Sequence, residues 1–380
     1  MVKILICGDY CPQDRVQDLI EKEDYNSVLG EICPYTSMAD YSIVNLESPV
    51  VNTPAFPIAK CGPNLRCSCK AVMALKFAGF NMVTLANNHF YDYGENGVRD
   101  TLSSCSENGL DIVGGGKNLN EASRIIYKEI KGVVFAFINC CEHEFSIATE
   151  KTGGANPLNP IQQYYAIQNA KQYAAKIIVI VHGGHEHYQL PSLRMKEIYR
   201  FFVDAGADAV INHHQHCYSG FEVYNDKPIF YGLGNFSFDS KGKRDSIWNE
   251  GYMVLLYFDD ESIRYELIPY YQGNEKPGIK VQKDKSKFLF SIKDLNSIIG
   301  NDVYLKENYQ LYLNSSKQSI SCFLEPISNK WIRGLQKRGF FPRFINKKCL
   351  PIMANAIMCE AHRDKLEYFL CTEIRNINKK

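Results

Sequence analysis

Residues 82–94 read Met-Val-Thr-Leu-Ala-Asn-Asn-His-Phe-Tyr-Asp-Tyr-Gly, an apolar run that passes directly into polar side chains. A short apolar run of this kind is typical of a buried strand that delivers its last residues to the edge of a sheet. In open α/β sheets that edge is where ligands bind. Asn88 would place an amide oxygen there and His89 an imidazole, and such ligands suit manganese, iron or zinc. The alternative is a strand-end turn in which asparagine adopts a positive φ.

Other predicted strands end in the same way. Polar groups follow their apolar runs at Asp9, at Asn45 and Glu47, at His182, His185 and Glu186, and at His213, His214 and His216. Seven of the nine histidines lie in clusters of this type. Histidines that are distant in sequence and that each follow an apolar run are hard to explain as core residues. We therefore predict a site for one or two divalent cations, manganese, iron or zinc. The predicted ligands are Asp9, Glu47, Asn88, His182, His214 and His216.

The order of the predicted elements indicates an α/β domain. Strands alternate with helices, such as those predicted over residues 16–29, 161–175 and 191–205, until about residue 216. Strands joined by tight turns follow, among them a strand over residues 228–233, and they predict antiparallel hairpins. A polar, lysine-rich stretch at 274–287 predicts a linker. We predict one domain over residues 1–275 and a linker with a helical C-terminal region over residues 276–380.

Composition excludes several classes of protein. The formal net charge of the 380 residues is +1, so there is no electrostatic case for a nucleic-acid partner. The fourteen cysteines lack the dense spacing of a disulfide scaffold, which favours a reducing compartment. The first apolar run is too short for a signal peptide, and no run reaches the roughly 18 residues of a membrane span. We predict a cytoplasmic location.

The segment Ile327 to Cys359 contains no acidic residue. Its basic residues are Lys330, Arg333, Lys337, Arg338, Arg343, Lys347 and Lys348, and its aromatic residues are Trp331, Phe340, Phe341 and Phe344. One interpretation is an amphipathic surface that binds an anionic polymer or lipid. The other is a helical appendage that packs against the main domain or a twin subunit. Gly334, Gly339 and Pro342 interrupt any long helix and argue against membrane docking.

The motifs together resemble a known family. In order they are Gly8-Asp9 with Arg15, Asn45-Leu46-Glu47, Ala86-Asn87-Asn88-His89 through Asp92-Tyr93-Gly94, His182-x-Gly184-x-Glu186, His213-His214-Gln215-His216, and Tyr231-x-Leu233-Gly234-Asn235-Phe236 with Asp239. Over residues 1–270 the chain is similar to the CapA family of capsule and poly-γ-glutamate synthesis, within the calcineurin-like metallophosphoesterase superfamily. The resemblance implies an α/β fold, a four-layer α-β-β-α sandwich with the site at the sheet edges and a mainly helical C-terminal appendage.

The resemblance also implies roles for single residues. Asp9, Asn88, His182, His214 and His216 match superfamily metal ligands. Glu47 stands where the superfamily has a bridging aspartate, and Cys11 stands where phosphoesterases have a histidine. His89 matches the histidine that protonates the leaving group or steadies the transition state. Because the family generally lacks the histidine at the Cys11 position, we predict that the Cys11 thiol is inert.

Other residues receive weaker assignments. Arg15 and Glu186 are predicted near the chemistry, with a structural salt bridge as the alternative for each. Asn45, His185 and Asn235 are predicted to bind substrate. The implied activity is hydrolysis of a phosphoester or of a γ-glutamyl-type amide bond. The alternative is a non-catalytic binding or scaffold subunit. The expected partners are an anionic polymer or a small-molecule substrate and other envelope-synthesis proteins. Whether the chain forms a homo-oligomer stays open.

Overall fold

The computed structural model describes most of the chain. It covers residues 1–60, 62–259, 262–323 and 329–342, together with residues 350, 353, 357, 366, 369, 370, 374 and 377. The chain divides into two compact units, Met1–Leu305 and Lys306–Lys380. The predicted domain boundary at residue 275 stays a prediction. Of the basic and aromatic segment, Arg343, Phe344, Lys347 and Lys348 lie outside the described residues.

Sixteen strands are present in the described residues. In chain order they are β1 (Val2–Tyr10), β2 (Tyr41–Leu46), β3 (Met82–Thr84), β4 (Asp111–Val113), β5 (Gly115–Gly116), β6 (Ile126–Ile130), β7 (Val133–Cys141), β8 (Gly154–Ala155), β9 (Lys176–His182), β10 (Ala209–His213), β11 (Phe221–Tyr224), β12 (Lys227–Phe230), β13 (Asn235–Ser237), β14 (Glu250–Phe258), β15 (Ile263–Gln272) and β16 (Ile279–Val281).

Eleven α-helices are present in the described residues. They are α1 (Asp14–Glu21), α2 (Tyr25–Leu29), α3 (Cys33–Met38), α4 (Cys69–Phe77), α5 (Gly94–Glu107), α6 (Leu119–Ala122), α7 (Pro160–Ala170), α8 (Leu193–Ala205), α9 (Ser286–Ile299), α10 (Asp302–Phe323) and α11 (Lys330–Lys337). Short 3-10 helices occupy Gly30–Ile32, Lys241–Lys243 and Ile247–Asn249.

Two large sheets form the first unit. One has the order β16-β15-β14-β1-β2-β3-β4, with β13 as an eighth strand beside β1. The other has the order β11-β12-β10-β9-β7-β6. In both sheets the central strands run parallel, whereas the hairpins β14-β15-β16, β11-β12 and β6-β7 are antiparallel.

Three hydrophobic cores separate four layers. Along β1, Ile4 and Ile6 point into a core that both sheets share, because alternate side chains of a strand face opposite sides. Leu5 and Cys7 point the other way, into a core under helices α1 and α4. A third core lies between the second sheet and helices α7 and α8. The predicted four-layer α-β-β-α sandwich is confirmed.

Strand register brings the strand ends to one edge. In the first sheet Asp9 is paired with Asn45 on one side and with Asn235 on the other. In the second sheet His213 is paired with His182. Parallel strands that end in register place their final side chains next to one another, which is why residues far apart in sequence meet here.

Three predicted elements are wrong in detail. The helix predicted over residues 16–29 is two helices, α1 and α2, because Glu23 has a φ of 60° and the Asp24 side chain caps the second helix by accepting from the Ser27 N–H. The stretch predicted as a linker at 274–287 contains β16, which pairs with β15. The strand predicted over 228–233 ends at Phe230. The polar sequence of residues 274–287 does not indicate β16, because this strand is held by backbone hydrogen bonds to β15 and not by an apolar pattern.

Among the described helices, none combines the length and the apolar character needed to cross a bilayer.

Candidate metal centre

The strand ends assemble the six predicted metal ligands into one buried cluster. Each of the six side chains belongs to a residue that is at most 7% exposed. Strand β1 supplies Asp9, the residue directly after β2 is Glu47, the turn after β3 supplies Asn88, and β9 supplies His182. The turn after β10 supplies the last two, His214 and His216.

Four of these residues surround one point. The Asn88 Oδ1 atom lies 3.0 Å from His182 Nε2, and His182 Nε2 lies 3.1 Å from His214 Nδ1. Glu47 Oε1 lies 3.8 Å from the same His182 nitrogen. Ligands bonded at about 2.1 Å to a common cation are separated by about 3 to 3.5 Å. The two shorter distances fall within this range, and the distance from Glu47 Oε1 to His182 Nε2 is slightly longer.

A second set shares Glu47 with the first. It consists of Asp9, Glu47 and His216. The His216 Nε2 atom lies 3.6 Å from Glu47 Oε1, and His216 Nδ1 lies 3.9 Å from Asp9 Oδ2. Because Glu47 belongs to both sets, it stands in the bridging position between two adjacent sites.

Hydrogen bonds orient the ligands. Asn235 Oδ1 lies 2.9 Å from His216 Nδ1 and can only accept, so Nδ1 carries the proton and Nε2 keeps its lone pair toward Glu47. Asn45 donates to Asp9 Oδ1 at 2.7 Å, and the backbone N–H of His214 donates to Asp9 Oδ2 at 3.1 Å. His213 points elsewhere, with Nε2 2.9 Å from the Cys7 carbonyl oxygen.

The electrostatics of the cluster favour a cation. Both Glu47 oxygens are buried and have no hydrogen-bond partner among the described residues. Burial, followed by the charge of Asp9, raises the pKa of Glu47 well above its ordinary value. Burial and the neighbouring His214 lower the pKa of His182 and of His216. Unpaired buried carboxylates are costly, and a cation would offset that cost while neutral imidazoles supplied lone pairs.

Backbone strain accompanies the cluster. His214 has a φ of 89° and His216 a φ of 54°. Such left-handed conformations cost of order 1–3 kcal/mol for residues other than glycine and persist where the surrounding structure enforces them. Here they accompany two histidines of one segment that belong to different sets of donor atoms, His214 to the first and His216 to the second.

His89 stands beside the ligands in a buried triad. Its Nδ1 atom lies 2.7 Å from Asp92 Oδ2 and 3.1 Å from Lys60 Nζ. Lys60 in turn pairs with the other Asp92 oxygen. The main chain of the same loop also binds Asp92, through the Leu65 N–H. Sequence reasoning missed Lys60, which lies in a loop without periodicity, although Asp92 belongs to the stretch that carries His89.

The remaining predicted site residues lie in different surroundings. Arg15 forms an ion pair with Asp239, with 2.7 Å between Nε and Oδ2, which is the structural alternative predicted for it. Glu186 is about half exposed, with Oε2 3.9 Å from His187 Nε2. Burial lowers the pKa of the partly buried His185. Asn45 and Asn235 are fully buried partners of the ligands, and their direct contact with substrate stays a prediction.

Cys11 is fully buried in a small cluster with Leu65, Phe238 and Trp248. Burial raises the pKa of its thiol well above the ordinary value. Neither set of donor atoms found among the described residues includes it. A protonated thiol in an aromatic setting is a poor metal ligand.

Known proteins resemble this chain to different degrees. The family of the bacterial capsule synthesis protein PGA_cap matches residues 3–240. The PGA biosynthesis protein CapA of Bacillus subtilis is 34% identical over 293 residues, 76% of each chain. The capsule biosynthesis protein CapA of Bacillus anthracis is 34% identical over 240 residues, which are 61% of this chain, and this chain spans 58% of the length of that relative. A probable polyglutamine synthesis accessory protein of Mycobacterium tuberculosis is 28% identical over 218 residues, 53% of this chain and 57% of the relative.

Two solved structures are more distant. A putative 5'-nucleotidase from Staphylococcus aureus is 14% identical, with a TM-score of 0.45, and the match covers 78% of this chain and 58% of that one. A 5'-nucleotidase from Candida albicans is 10% identical, with a TM-score of 0.43, and the match covers 83% of this chain and 57% of that one. The sequence match over residues 3–240 contains all six clustered ligands. The chain therefore belongs to the family of the bacterial capsule synthesis protein PGA_cap.

Proposed function

We propose that this protein is a metal-dependent hydrolase that acts in the synthesis or trimming of an anionic envelope polymer such as poly-γ-glutamate. One observation carries the proposal. Glu47 is a fully buried carboxylate without a hydrogen-bond partner among the described residues, it is shared by two sets of metal-ligand atoms, and it interacts electrostatically with Asp92 and Lys60, the partners of His89. A purely structural cluster has no need of an unpaired buried carboxylate.

The six predicted ligands would hold up to two cations. Asn88, His182 and His214 would hold one divalent cation with Glu47, and Asp9 and His216 would hold a second with the same carboxylate. Such cations, when bound, polarise a substrate oxygen and lower the pKa of a water molecule. The mixture of oxygen and imidazole donors suits manganese, iron or zinc.

His89 is the proton-transfer residue of the proposal. The carboxylate of Asp92 accepts from Nδ1 at 2.7 Å, which fixes the ring. Nε2 is then the atom that takes up or returns a proton at the reacting group. Asp92 and Lys60 position His89 and do not touch the substrate in this scheme.

Two substrates suit the arrangement. A phosphoester and a γ-glutamyl amide both need a polarised oxygen, an attacking water and a proton for the leaving group. The relatives named for capsule and PGA biosynthesis favour the amide or another bond of the envelope polymer. The predicted cytoplasmic location and the predicted partnership with other envelope-synthesis proteins remain part of this proposal.

A second candidate function is a non-catalytic subunit of the polymer-synthesis machinery. The relative from Mycobacterium tuberculosis, which is named a probable accessory protein, favours it. So does Cys11, which leaves the second set of ligands one residue short of the four that the first set has. In that case the cation would have a structural role.

The test combines metal analysis with an assay. Protein purified without chelator is analysed for metal and then incubated with phosphodiesters and γ-glutamyl peptides. We expect about one to two equivalents of metal and loss of metal in the double variant His214→Ala/His216→Ala. His89→Ala should keep its metal and lose about 10²- to 10⁴-fold in turnover. Equal metal content in wild type and the double variant would overturn the metal centre. Metal without turnover of any substrate would favour the second function.

A further inference from the structure

Two lysines stand beside the metal centre, and they differ in what they contact. The side chain of Lys60 is 2% exposed and pairs with the carboxylate of Asp92. The Nζ atom of Lys243 lies 3.0 Å from His187 Nε2 and 3.7 Å from the centroid of the Trp248 ring. Within the described part of the chain no carboxylate forms an ion pair with Lys243. Its two close contacts are an imidazole and the face of an indole ring.

Aromatic contacts connect Lys243 to the candidate metal centre. The ring of Trp248 lies 4.7 Å from the ring of the metal ligand His216, and its Nε1–H donates to the Phe238 carbonyl oxygen at 2.7 Å. The ring of His187 lies 6.2 Å from that of His216. Trp248 is 4% exposed. The Trp248 ring therefore contacts both the ammonium group of Lys243 and the ring of the proposed ligand His216.

The surroundings of Lys243 disfavour its charged form. Burial lowers the pKa of Lys243, and the charge of Glu186 opposes this without forming an ion pair with the lysine. Burial and the charge of Lys243 lower the pKa of His187, which favours a neutral imidazole that accepts from the ammonium group. A half-buried ammonium held by a neutral imidazole and a ring face has lost part of its hydration without gaining a counter-ion.

We propose that Lys243 is a specificity-determining residue that binds an anionic group of the substrate, a carboxylate or a phosphate, next to the bond that is cleaved. A charge-assisted hydrogen bond from Lys243 would supply the counter-ion that the protein itself does not. Lys243 and His216 both contact the Trp248 ring, so the group that Lys243 binds would be a neighbour of the reacting group. A γ-linked glutamate chain carries a free carboxylate on each residue, and a polyol phosphate carries a phosphate. The proposal rests on the proposed function for the identity of the substrate.

Trp248 is a built-in reporter of this contact. The chain has two tryptophans, and the other, Trp331, is 75% exposed. In the full-length Trp331→Phe variant all tryptophan emission comes from Trp248. Binding of an anion should draw the ammonium group away from the ring and change that emission. We would titrate the metal-loaded protein with a γ-glutamyl tripeptide and, separately, with inorganic phosphate.

A matched pair of variants isolates the lysine. In the Trp331→Phe background, Lys243→Met should raise the dissociation constant about tenfold or more, whereas Lys241→Met should leave it unchanged. Lys241 is an exposed residue of the same short helix. Lys243→Arg keeps the charge and should recover part of the affinity. A saturable response to the tripeptide identifies a carboxylate as the group that is bound, and a response to phosphate alone identifies a phosphate.

Kinetics give an independent measure. For a γ-glutamyl peptide, Lys243→Met should raise KM about tenfold with little change in kcat, and for a phosphodiester without a second anionic group KM should stay the same. Equal dissociation constants for Lys243→Met and Lys241→Met, or no response of Trp248 to either probe, would overturn the role of Lys243. Failure of every hydrolysis assay would overturn the proposed function, and the fluorescence titration would still decide the question of Lys243.

Discussion

Two buried carboxylates in the first unit, Asp239 and Glu47, have opposite surroundings. Asp239 accepts hydrogen bonds from Arg15 at 2.7 and 2.9 Å and from Arg244 at 3.1 and 3.2 Å. Glu47 accepts none from the described residues. Burial by itself would raise the pKa of both, but the two guanidinium groups outweigh burial and lower the pKa of Asp239, whereas the pKa of Glu47 stays raised.

The difference shows how a structural carboxylate can be told from one kept for a ligand. Both side chains are inaccessible to water, so burial does not distinguish them. What distinguishes them is whether the protein supplies the partners. Asp239 has its counter-charges within the chain and stabilises the fold, whereas Glu47 depends on a charge from outside the chain.

The sharpest test of this contrast is Glu47→Gln. Removing the shared carboxylate should weaken metal binding by about 100-fold or more, because both sets of ligands lose their common member. In the metal-free protein the thermal midpoint should not fall, since the variant breaks no hydrogen bond and replaces a carboxyl group by a neutral amide of similar size. Metal titration and thermal unfolding with and without chelator measure the two effects. If Glu47→Gln bound metal as tightly as the wild type, the proposed difference between Glu47 and Asp239 would be wrong.

Lys60→Met tests another buried carboxylate, Asp92. Both members of this ion pair are buried, so removal of the lysine leaves a charge without its partner and should cost about 3–5 kcal/mol in the free energy of unfolding. The double variant Lys60→Met/Asp92→Asn should recover part of that loss. Urea unfolding at neutral pH measures it. A Lys60→Met variant as stable as wild type would mean that Asp92 does not depend on the lysine.

Asp239→Asn should destabilise the protein, in contrast to Glu47→Gln. Loss of charge-assisted hydrogen bonds should lower the free energy of unfolding by about 2 kcal/mol at pH 7. Because the pKa of Asp239 is lowered in the folded state, this contribution is present above the unfolded pKa of about 3.9 and is lost as the pH falls below it. Urea unfolding at pH 7 and near pH 3 checks the sign. If the difference in the free energy of unfolding between variant and wild type grew as the pH fell, the proposed role of Asp239 would be wrong.

The smallest effect is expected at Cys11. Cys11→Ser should leave the metal stoichiometry unchanged and turnover within about twofold of wild type, because the thiol is protonated and belongs to neither set of ligands. Elemental analysis alongside the hydrolysis assay measures both. Loss of one equivalent of metal would show that Cys11 completes the shell around Asp9 and His216.

The sequence by itself determined the layers and most of the candidate site. A continuous apolar run such as that of β1 specifies a strand buried on both faces, and parallel strands deliver their last residues to one edge. That is why His182, His214 and His216 could be predicted to meet Asp9 and Asn88 although they are far apart in sequence. This prediction needs only local sequence patterns, because the geometry of a parallel sheet brings the strand ends together.

Only the tertiary structure decided which polar residues satisfy each other. Arg15 and Asp239 are 224 residues apart and meet because strands and loops from both ends of the unit pack together. Lys60 reaches His89 from a loop without any period, and Glu47 is left without a partner. Hydrogen-bond and charge partners across a sheet edge depend on ångström-scale distances between loops. Hydrophobic periodicity and residue type do not specify such distances, so these partners could be identified only in the folded structure.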